Sequence, residues 1–440
     1  MKRFILDKLN EWKDRKDRKP LILQGVRQTG KTYALQQFGE ASFPVTHYLN
    51  FEKDENLKGI FERDLDPRRI IEQISFYLNK PINVDRDLII FDEVQNIPRS
   101  LTSLKYFCEE MPSLAICAAG SLLGLHLGEA SFPVGKVEFL NMFPMSFVEF
   151  LEGIGETASA EFIKNYDAKD SIPEIIHLRL WEHLKRYFVI GGLPEVVKIY
   201  ADAGDNLFLA VERARKKQED LIATYHADMA KHCGKQNAMH IERLWKNVPA
   251  QLARDQNGSA SKFRFKGILP EINRYSRLSG VIDWLEAAGL IIKTYMVNSG
   301  KLPFSAYVIE NSFKLYLFDV GILGALSGLS PKSLLDYDYG SYKGYFAENF
   351  AAQEFQCSGV RNLFCWKEKI SEIEFLREEN GDIIPVEIKS GWVTKSKSLQ
   401  IFAEKYKPVY RAIFSARPLL IDRLSGLHRY PLYMAGRFPF

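Results

Sequence analysis

The period of the hydrophobic pattern changes several times along this 440-residue chain. An apolar run, Pro20–Gln24, leads through a glycine-containing turn into a helix-like stretch, Tyr33–Phe38. Val45–Phe51 has the β-branched and aromatic content of a strand. From Pro67 to Leu78 the positions Ile70, Ile71, Ile74 and Leu78 recur on one helical face. Asp87–Phe91 and Leu114–Ala119 are apolar without alternation, which predicts strands buried on both faces of a parallel sheet. The first third is therefore expected to be an α/β layer structure.

Beyond residue 150 the period lengthens. Residues 151–235 read as helix-rich and charged, with Arg213, Arg215, Lys216 and Lys217 as a solvated helix face. Ile241, Leu244, Trp245, Val248 and Leu252 then fall at helical spacing and are expected to be core. A loop at Asp255–Ser259, a short strand at Phe263–Phe265, a helix from Tyr275 to Ala288 stopped by Gly289, and a strand at Leu290–Tyr295 follow. Helix, turn, helix, strand and wing predict a winged-helix module over 236–330. Its basic residues Lys262, Arg264, Lys266, Arg274 and Arg277 offer a face for DNA or for a protein partner. The last hundred residues open on an amphipathic helix, Tyr345–Ala351, and continue with strands around Glu372–Leu376 and Pro385–Lys389.

The turn after the first strand carries the densest chemistry. Gly25-Val26-Arg27-Gln28-Thr29-Gly30-Lys31-Thr32 fits the phosphate-loop pattern G-x-x-x-x-G-K-[ST] between a strand and a helix. Its backbone N–H groups and the helix N-terminus suit phosphate oxygens. Gly25, Arg27, Gln28, Thr29, Gly30, Lys31 and Thr32 are thus the expected ATP-binding residues, with Lys31 on the β- and γ-phosphates and Thr32 on Mg²⁺. Sixty residues on, the second buried strand ends in Asp92-Glu93, where parallel sheets place ligand chemistry. Asp92 is expected to hold Mg²⁺, directly or through water, and Glu93 to polarise the water that attacks the γ-phosphate. Ser121, just after the Leu114–Ala119 run, stands where a polar γ-phosphate sensor belongs, and also where a serine after glycine serves as an ordinary helix cap.

Composition narrows the class further. A 46% hydrophobic and 26% charged chain is that of a water-soluble protein, and its length allows two to four domains. A net charge of +4 neither demands nor opposes nucleic acid. No signal peptide and no apolar stretch long enough for a membrane span are evident. The five cysteines are scattered and odd in number, which points to a reduced, cytoplasmic setting. His226, His232, Cys233 and His240 cluster without any standard zinc spacing and read as surface residues. The heptapeptide Gly39–Val45 recurs at Gly128–Val134 with no self-similarity around it, a coincidence rather than a repeat.

Together the phosphate loop, Asp92-Glu93, Phe139–Phe150 and Tyr187–Glu195 resemble a prokaryotic AAA-like family of P-loop ATPases with a C-terminal region of unknown function. The resemblance covers nearly the whole chain. It implies an ATPase domain at 1–150, a helical lid or linker at 151–235, the winged helix at 236–330, and a restriction-endonuclease-like α/β domain at 331–440. It also implies assembly into homo-oligomers. Many relatives carry an arginine where this chain has Lys136, so the arginine finger is unassigned, with Arg27 and Arg99 as candidates. In the last domain Glu374, then Glu387 and Lys389 as E-x-K on the next strand, resemble an endonuclease core. Glu374 and Glu387 would share Mg²⁺, Lys389 would orient water, and Glu348 would complete the set. The family's first acid is usually aspartate; here it is Glu374. The expected function is Mg²⁺-dependent ATP hydrolysis coupled to this C-terminal region, which acts on DNA as a nuclease or else docks a protein as an inactive scaffold.

Overall fold

The computed structural model describes residues 1–440 except 122–132, 168–170, 205, 255–261, 269–274, 336–343, 393–395 and 440, and the side chains of 232–236, 276–277 and 334. The loop expected at Asp255–Ser259, the whole of Arg274, and the side chains of Arg277, His232 and Cys233 lie outside the described residues. So does most of the second heptapeptide copy. The chain forms two compact units, Met1–Phe143 with Ala287–Gly289, and Pro144–Glu286 with Leu290–Phe440.

In the first unit the strands are β1 (Leu21–Gln24), β2 (Thr46–Asn50), β3 (Leu88–Asp92), β4 (Ala115–Gly120) and β5 (Glu138–Asn141). They make one five-stranded sheet in the order β2-β3-β4-β1-β5, with every pairing parallel. Helices α1 (Ile5–Asp14), α2 (Lys31–Ser42), α3 (Lys58–Glu62), α4 (Pro67–Tyr77) and α5 (Pro98–Glu110) supply its helical layers. All residues of β3 and β4 are buried, as their unbroken apolar runs require. Ile22, Ile89, Phe91 and Ile116 pack with α4 and α5 residues, while Leu23, Ile90 and Cys117 pack with α1 and α2 residues. Ile5, Leu9 and Trp12 form a buried stripe on α1, and only its opposite face carries the charges.

The second unit begins with α6 (Phe147–Gly153), α7 (Thr157–Asn165), α8 (Glu174–Ile190), α9 (Pro194–Asp202) and α10 (Leu207–Ala253). The last is a single helix of 47 residues, and Ile241, Leu244, Trp245, Val248 and Leu252 line its buried side. Helix α11 (Tyr275–Ala287) follows, and Gly289 at φ +74° ends that turn in the left-handed region. Next come β6 (Ile291–Val297), β7 (Val308–Leu317), α12 (Val320–Leu326), α13 (Pro331–Leu335), α14 (Gly344–Cys357), β8 (Leu363–Glu368), β9 (Ser371–Glu379), β10 (Asp382–Ile388), α15 (Lys397–Tyr406), β11 (Arg411–Ser415), β12 (Leu420–Asp422) and β13 (Leu427–Pro431).

All eight of these strands share one mixed sheet, ordered β12-β13-β11-β10-β9-β8-β6-β7. The β6–β7 hairpin joins it through the parallel pairing of β6 with β8. No strand forms at Phe263–Phe265. That segment makes a backbone hydrogen bond from Phe263 N–H to Phe313 C=O, 2.9 Å, and Phe263 stacks on the Phe313 ring. Its rings are anchored by packing, without the repeated ladder bonds a strand needs.

Within the second unit, the residues after Pro144 and the Tyr187–Glu195 segment meet at one close backbone approach. Met145 N–H donates to Gly192 C=O at 2.6 Å, and the Tyr187 hydroxyl donates to Met145 C=O at 2.5 Å. A Cβ on Gly192 would lie 2.1 Å from the Met145 carbonyl oxygen. Ser146 and Glu149 close a capping box on α6. Gly192→Ala is therefore expected to cost about 3 kcal/mol through overpacking against rigid backbone. Gly280→Ala, where a Cβ on α11 meets nothing within 4 Å, should instead stabilise by about 0.5–1 kcal/mol. Urea unfolding of the two variants, followed by circular dichroism, checks the opposite signs.

Candidate functional site

The carboxyl ends of β1 and β3 place the phosphate loop and the Asp92-Glu93 pair in the same unit. The loop's glycines are required by geometry. A Cβ on Gly25 would lie 2.2 Å from the Met142 carbonyl oxygen, and Gly30 has φ +90° at the cap position of α2. Gln28 also takes a positive φ, +67°. Thr29 is wholly buried, its hydroxyl donating to Val26 C=O at 2.8 Å. Arg3, which sequence reasoning missed, donates from one guanidinium nitrogen to Thr29 C=O and from the other to Phe143 C=O, both at 2.7 Å.

Lys31 lies at the first position of α2, buried, and its ammonium donates to the carbonyls of Gly25 and Val26, each at 2.9 Å. Burial draws its pKa down to about 8, against the opposing pull of the Glu93 and Asp92 carboxylates. Arg27 is half-buried and 3.7 Å from Glu52.

Asp92 is the hub of the site. Its Oδ2 accepts from the Thr32 hydroxyl at 2.8 Å and from the Tyr48 hydroxyl at 2.7 Å, and its Oδ1 accepts from Glu93 N–H at 3.0 Å. Glu93 has φ +55°, the left-handed region, so its backbone is held off the strand by its surroundings. Its carboxylate accepts from the Gln95 side-chain amide. Ser121 is buried one residue past β4. Of the arginine-finger candidates, Arg99 donates from Nε to Phe61 C=O at 2.6 Å, a structural contact. Lys136 pairs with Glu109 at 3.0 Å.

These donors fit a magnesium nucleotide. A hydroxyl and a carboxylate oxygen 2.8 Å apart are the hard oxygen pair Mg²⁺ prefers. The buried ammonium sits on loop carbonyls whose place a phosphate oxygen could take as its partner. Bound there, Mg²⁺ would neutralise charge on the phosphate oxygens.

The second expected site lies in the mixed sheet. Glu374 is on β9 and Glu387 on β10, each one step past the paired residues Phe375 and Val386. The Lys389 ammonium is 2.5 Å from Glu387 Oε1, and the Ser396 hydroxyl donates to Glu387 Oε2. Glu374 is held well above the ordinary carboxylate range by burial, by Glu387 and by Glu348. Its Oε2 is buried and has no hydrogen-bond partner among the described residues. Glu348 comes from α14 and accepts from the Tyr316 hydroxyl at 2.7 Å. Lys314, another residue the sequence reading did not single out, is fully buried 3.5 Å from Glu348 and 2.7 Å from Glu372. Glu374, Glu387, Lys389 and Glu348 thus belong to one cluster, with Lys314 inside it. No group of three or more His, Cys, Asp or Glu among the described residues is spaced to hold a metal ion. His226 pairs with Glu242 at 3.5 Å.

Residues 17–151 match the family model described as an AAA domain, so this stretch, which holds most of the first unit, is similar to that class of ATPase domain. Residues 181–333 match a second model, described only as a domain of unknown function (DUF8612). Over 393 residues the chain is 24% identical to the uncharacterized protein MJ1544 of Methanocaldococcus jannaschii, covering 88% of this chain and 78% of that one. Among solved structures, the Walker-type ATPase PABY2304 of Pyrococcus abyssi aligns at 14% identity and a TM-score of 0.44, over 73% of this chain and 94% of that one. The Aeropyrum pernix ORC1 protein, solved in complex with DNA, aligns at 13% identity and a TM-score of 0.31, over 74% and 90% respectively. No helix among the described residues is long and apolar enough to cross a membrane.

The depressed pKa of Lys31 gives two signed expectations. The unfolded chain holds this proton up to about 10.5 and the folded chain only up to about 8, so the unfolded state binds more protons in between. Stability should rise with pH across that window, and Lys31→Met should flatten the rise in chemical denaturation. A triphosphate favours the ammonium form, so its binding above pH 8 takes up a proton. Affinity should then fall by up to about tenfold per pH unit, read by titrating a fluorescent nucleotide at a series of pH values.

Proposed function

We propose that the protein is a Mg²⁺-dependent ATPase whose nucleotide state governs its C-terminal region. The observation that carries the reading is the joining of Thr32 to Asp92 at 2.8 Å, which ties the phosphate loop to the acidic strand end at the carboxyl side of a parallel sheet. In this reading Gly25, Arg27, Gln28, Thr29 and Gly30 line the phosphates and Lys31 neutralises them. Thr32 and Asp92 hold Mg²⁺, Glu93 polarises the attacking water, and Ser121 senses the γ-phosphate. Nucleotide occupancy would act by ordering loop segments, as γ-phosphate contacts do in other switches. Lys31→Ala should abolish ATP binding. Glu93→Gln should bind ATP with little change but hydrolyse it at least about a hundredfold more slowly, as loss of a general base predicts. Undiminished turnover by the Glu93→Gln protein in a phosphate-release assay would sink the assignment.

A second activity is favoured by the Glu374 oxygen that is buried without a partner beside Glu387 and Lys389. In this reading Glu374 and Glu387 bind a divalent cation, Lys389 orients water, and the substrate is DNA presented in part by α11 and the β6–β7 hairpin. Mg²⁺- or Mn²⁺-dependent nicking of plasmid or single-stranded DNA, lost in Lys389→Ala, is the expected outcome. If wild-type protein leaves both substrates intact with either cation, the cluster is instead the core of an inactive domain that docks a protein.

A further inference from the structure

Strand β2 brings to the site two polar side chains that the phosphate-loop pattern does not contain. Tyr48 and Asn50 are two residues apart, so they stand on the same face of the strand. Asn50 Oδ1 accepts from the backbone N–H groups of Glu52 and Lys53, both at 2.9 Å. That fixes the amide and aims its Nδ2 at the Tyr48 hydroxyl, 3.2 Å away. The Tyr48 hydroxyl in turn donates to Asp92 Oδ2 at 2.7 Å. Amide, phenol and carboxylate form a directed chain in which each donor has one acceptor.

We propose that Tyr48 is a positioning residue for the cation site, holding the Asp92 carboxylate in register with Thr32 through this chain. The proposal rests on the reading of Thr32 and Asp92 as the magnesium pair. Among the described residues, Asp92 accepts from three donors: Thr32, Tyr48 and Glu93 N–H. The Thr32 hydroxyl is the one a cation would recruit as its own ligand. Only Tyr48 and the Glu93 backbone then keep the carboxylate from turning, and Tyr48 alone acts on the oxygen that Thr32 shares. Mg²⁺ demands near-ideal geometry, so a carboxylate free to rotate is a poorer ligand even though its charge is unchanged. Partners of this kind typically contribute a factor of ten to a hundred in metal affinity.

The test is a fluorescent ATP analogue titrated with and without magnesium on the full chain. In Tyr48→Phe the Mg²⁺ concentration giving half-maximal nucleotide binding should rise at least about tenfold. Nucleotide affinity in EDTA should stay within about twofold, because the hydrogen bonds of the phenol among the described residues go to Asp92 and Asn50 rather than to the phosphate-loop backbone. Asn50→Ala, which leaves the phenol but frees it to turn, should raise the Mg²⁺ requirement by a smaller factor, about threefold, in line with a partner one shell further out. An unchanged Mg²⁺ requirement in Tyr48→Phe overturns the proposal, and so does an equal loss of affinity in EDTA, which would make Tyr48 a general support of the fold. Were Tyr48→Phe to misfold, an unchanged Mg²⁺ requirement in Asn50→Ala would overturn it equally. Wild-type protein whose nucleotide binding ignores Mg²⁺ would remove the magnesium reading itself, and the proposal with it.

Discussion

A polar group taken out of water must find a partner inside, and helix α14 obeys that constraint four times over. Glu348, Asn349, Gln353 and Glu354 are all essentially inaccessible to solvent. Glu348 accepts from Tyr316, and Asn349 both donates to and accepts from the Leu317 backbone. Gln353 accepts from Val320 N–H and donates to the Tyr187 hydroxyl, while Glu354 accepts from Phe147 N–H. One helix therefore fastens β7, α12, α8 and the start of α6. Leaving any one of these groups unpaired would cost about 1–3 kcal/mol, so the unit holds one arrangement rather than several. Asp319 extends the same logic. It caps α12 and accepts from Gly192 N–H, and burial raises its carboxyl to about 6 even so. Glu354 is raised to about 8 by burial, with Glu149 adding to the effect.

The first unit handles buried polarity differently. One group of its polar side chains gathers at the carboxyl side of the sheet, where Lys31, Thr32, Tyr48 and Asp92 satisfy one another or the loop carbonyls. Lys31 lends itself to exchange because its partners are backbone carbonyls rather than a carboxylate. A salt bridge would have to be broken before phosphate could bind, whereas two neutral acceptors give way at smaller cost. The sheet beneath is apolar on both faces and supplies rigidity without competing acceptors.

What the sequence made legible follows from range. The phosphate loop, the β3 strand with its terminal acids, helix α4 and the Gly289 stop depend on neighbours a few residues apart, and period or motif exposes them. The role of Gly192 was not legible, since it depends on a carbonyl at Met145 brought in by the fold. Tyr48 looked like an ordinary aromatic of a strand. Only the parallel pairing of β2 with β3 brings it to Asp92. Arg3 was one charge in a charged segment, although both its partners are carbonyls distant in sequence. The pairing of β6 with β8 was hidden for the same reason, since a strand's own residues do not name its neighbour. At Phe263–Phe265 local composition misled, because aromatic residues suited to a strand were used instead to cover Phe313. In the C-terminal cluster the E-x-K spacing was legible, but Lys314 was not, since its strand gives no local sign that two acids converge on it.

The backbone contact between Met145 and Gly192 also sets where this chain can change length. The ends of the segment between them meet at 2.6 Å, and Tyr187, inside the segment, bonds to the same Met145. What lies between is packed structure rather than a free loop: α6, α7 and α8 all belong to it, and Leu180, Trp181 and Leu184 of α8 are buried. Added length inside those helices would shift buried side chains out of register with the pinned ends. Only in the connections between helices does doubling a loop cost as little as about 0.6 kcal/mol of closure entropy. Length variation in this segment is thus confined to its helix–helix connections.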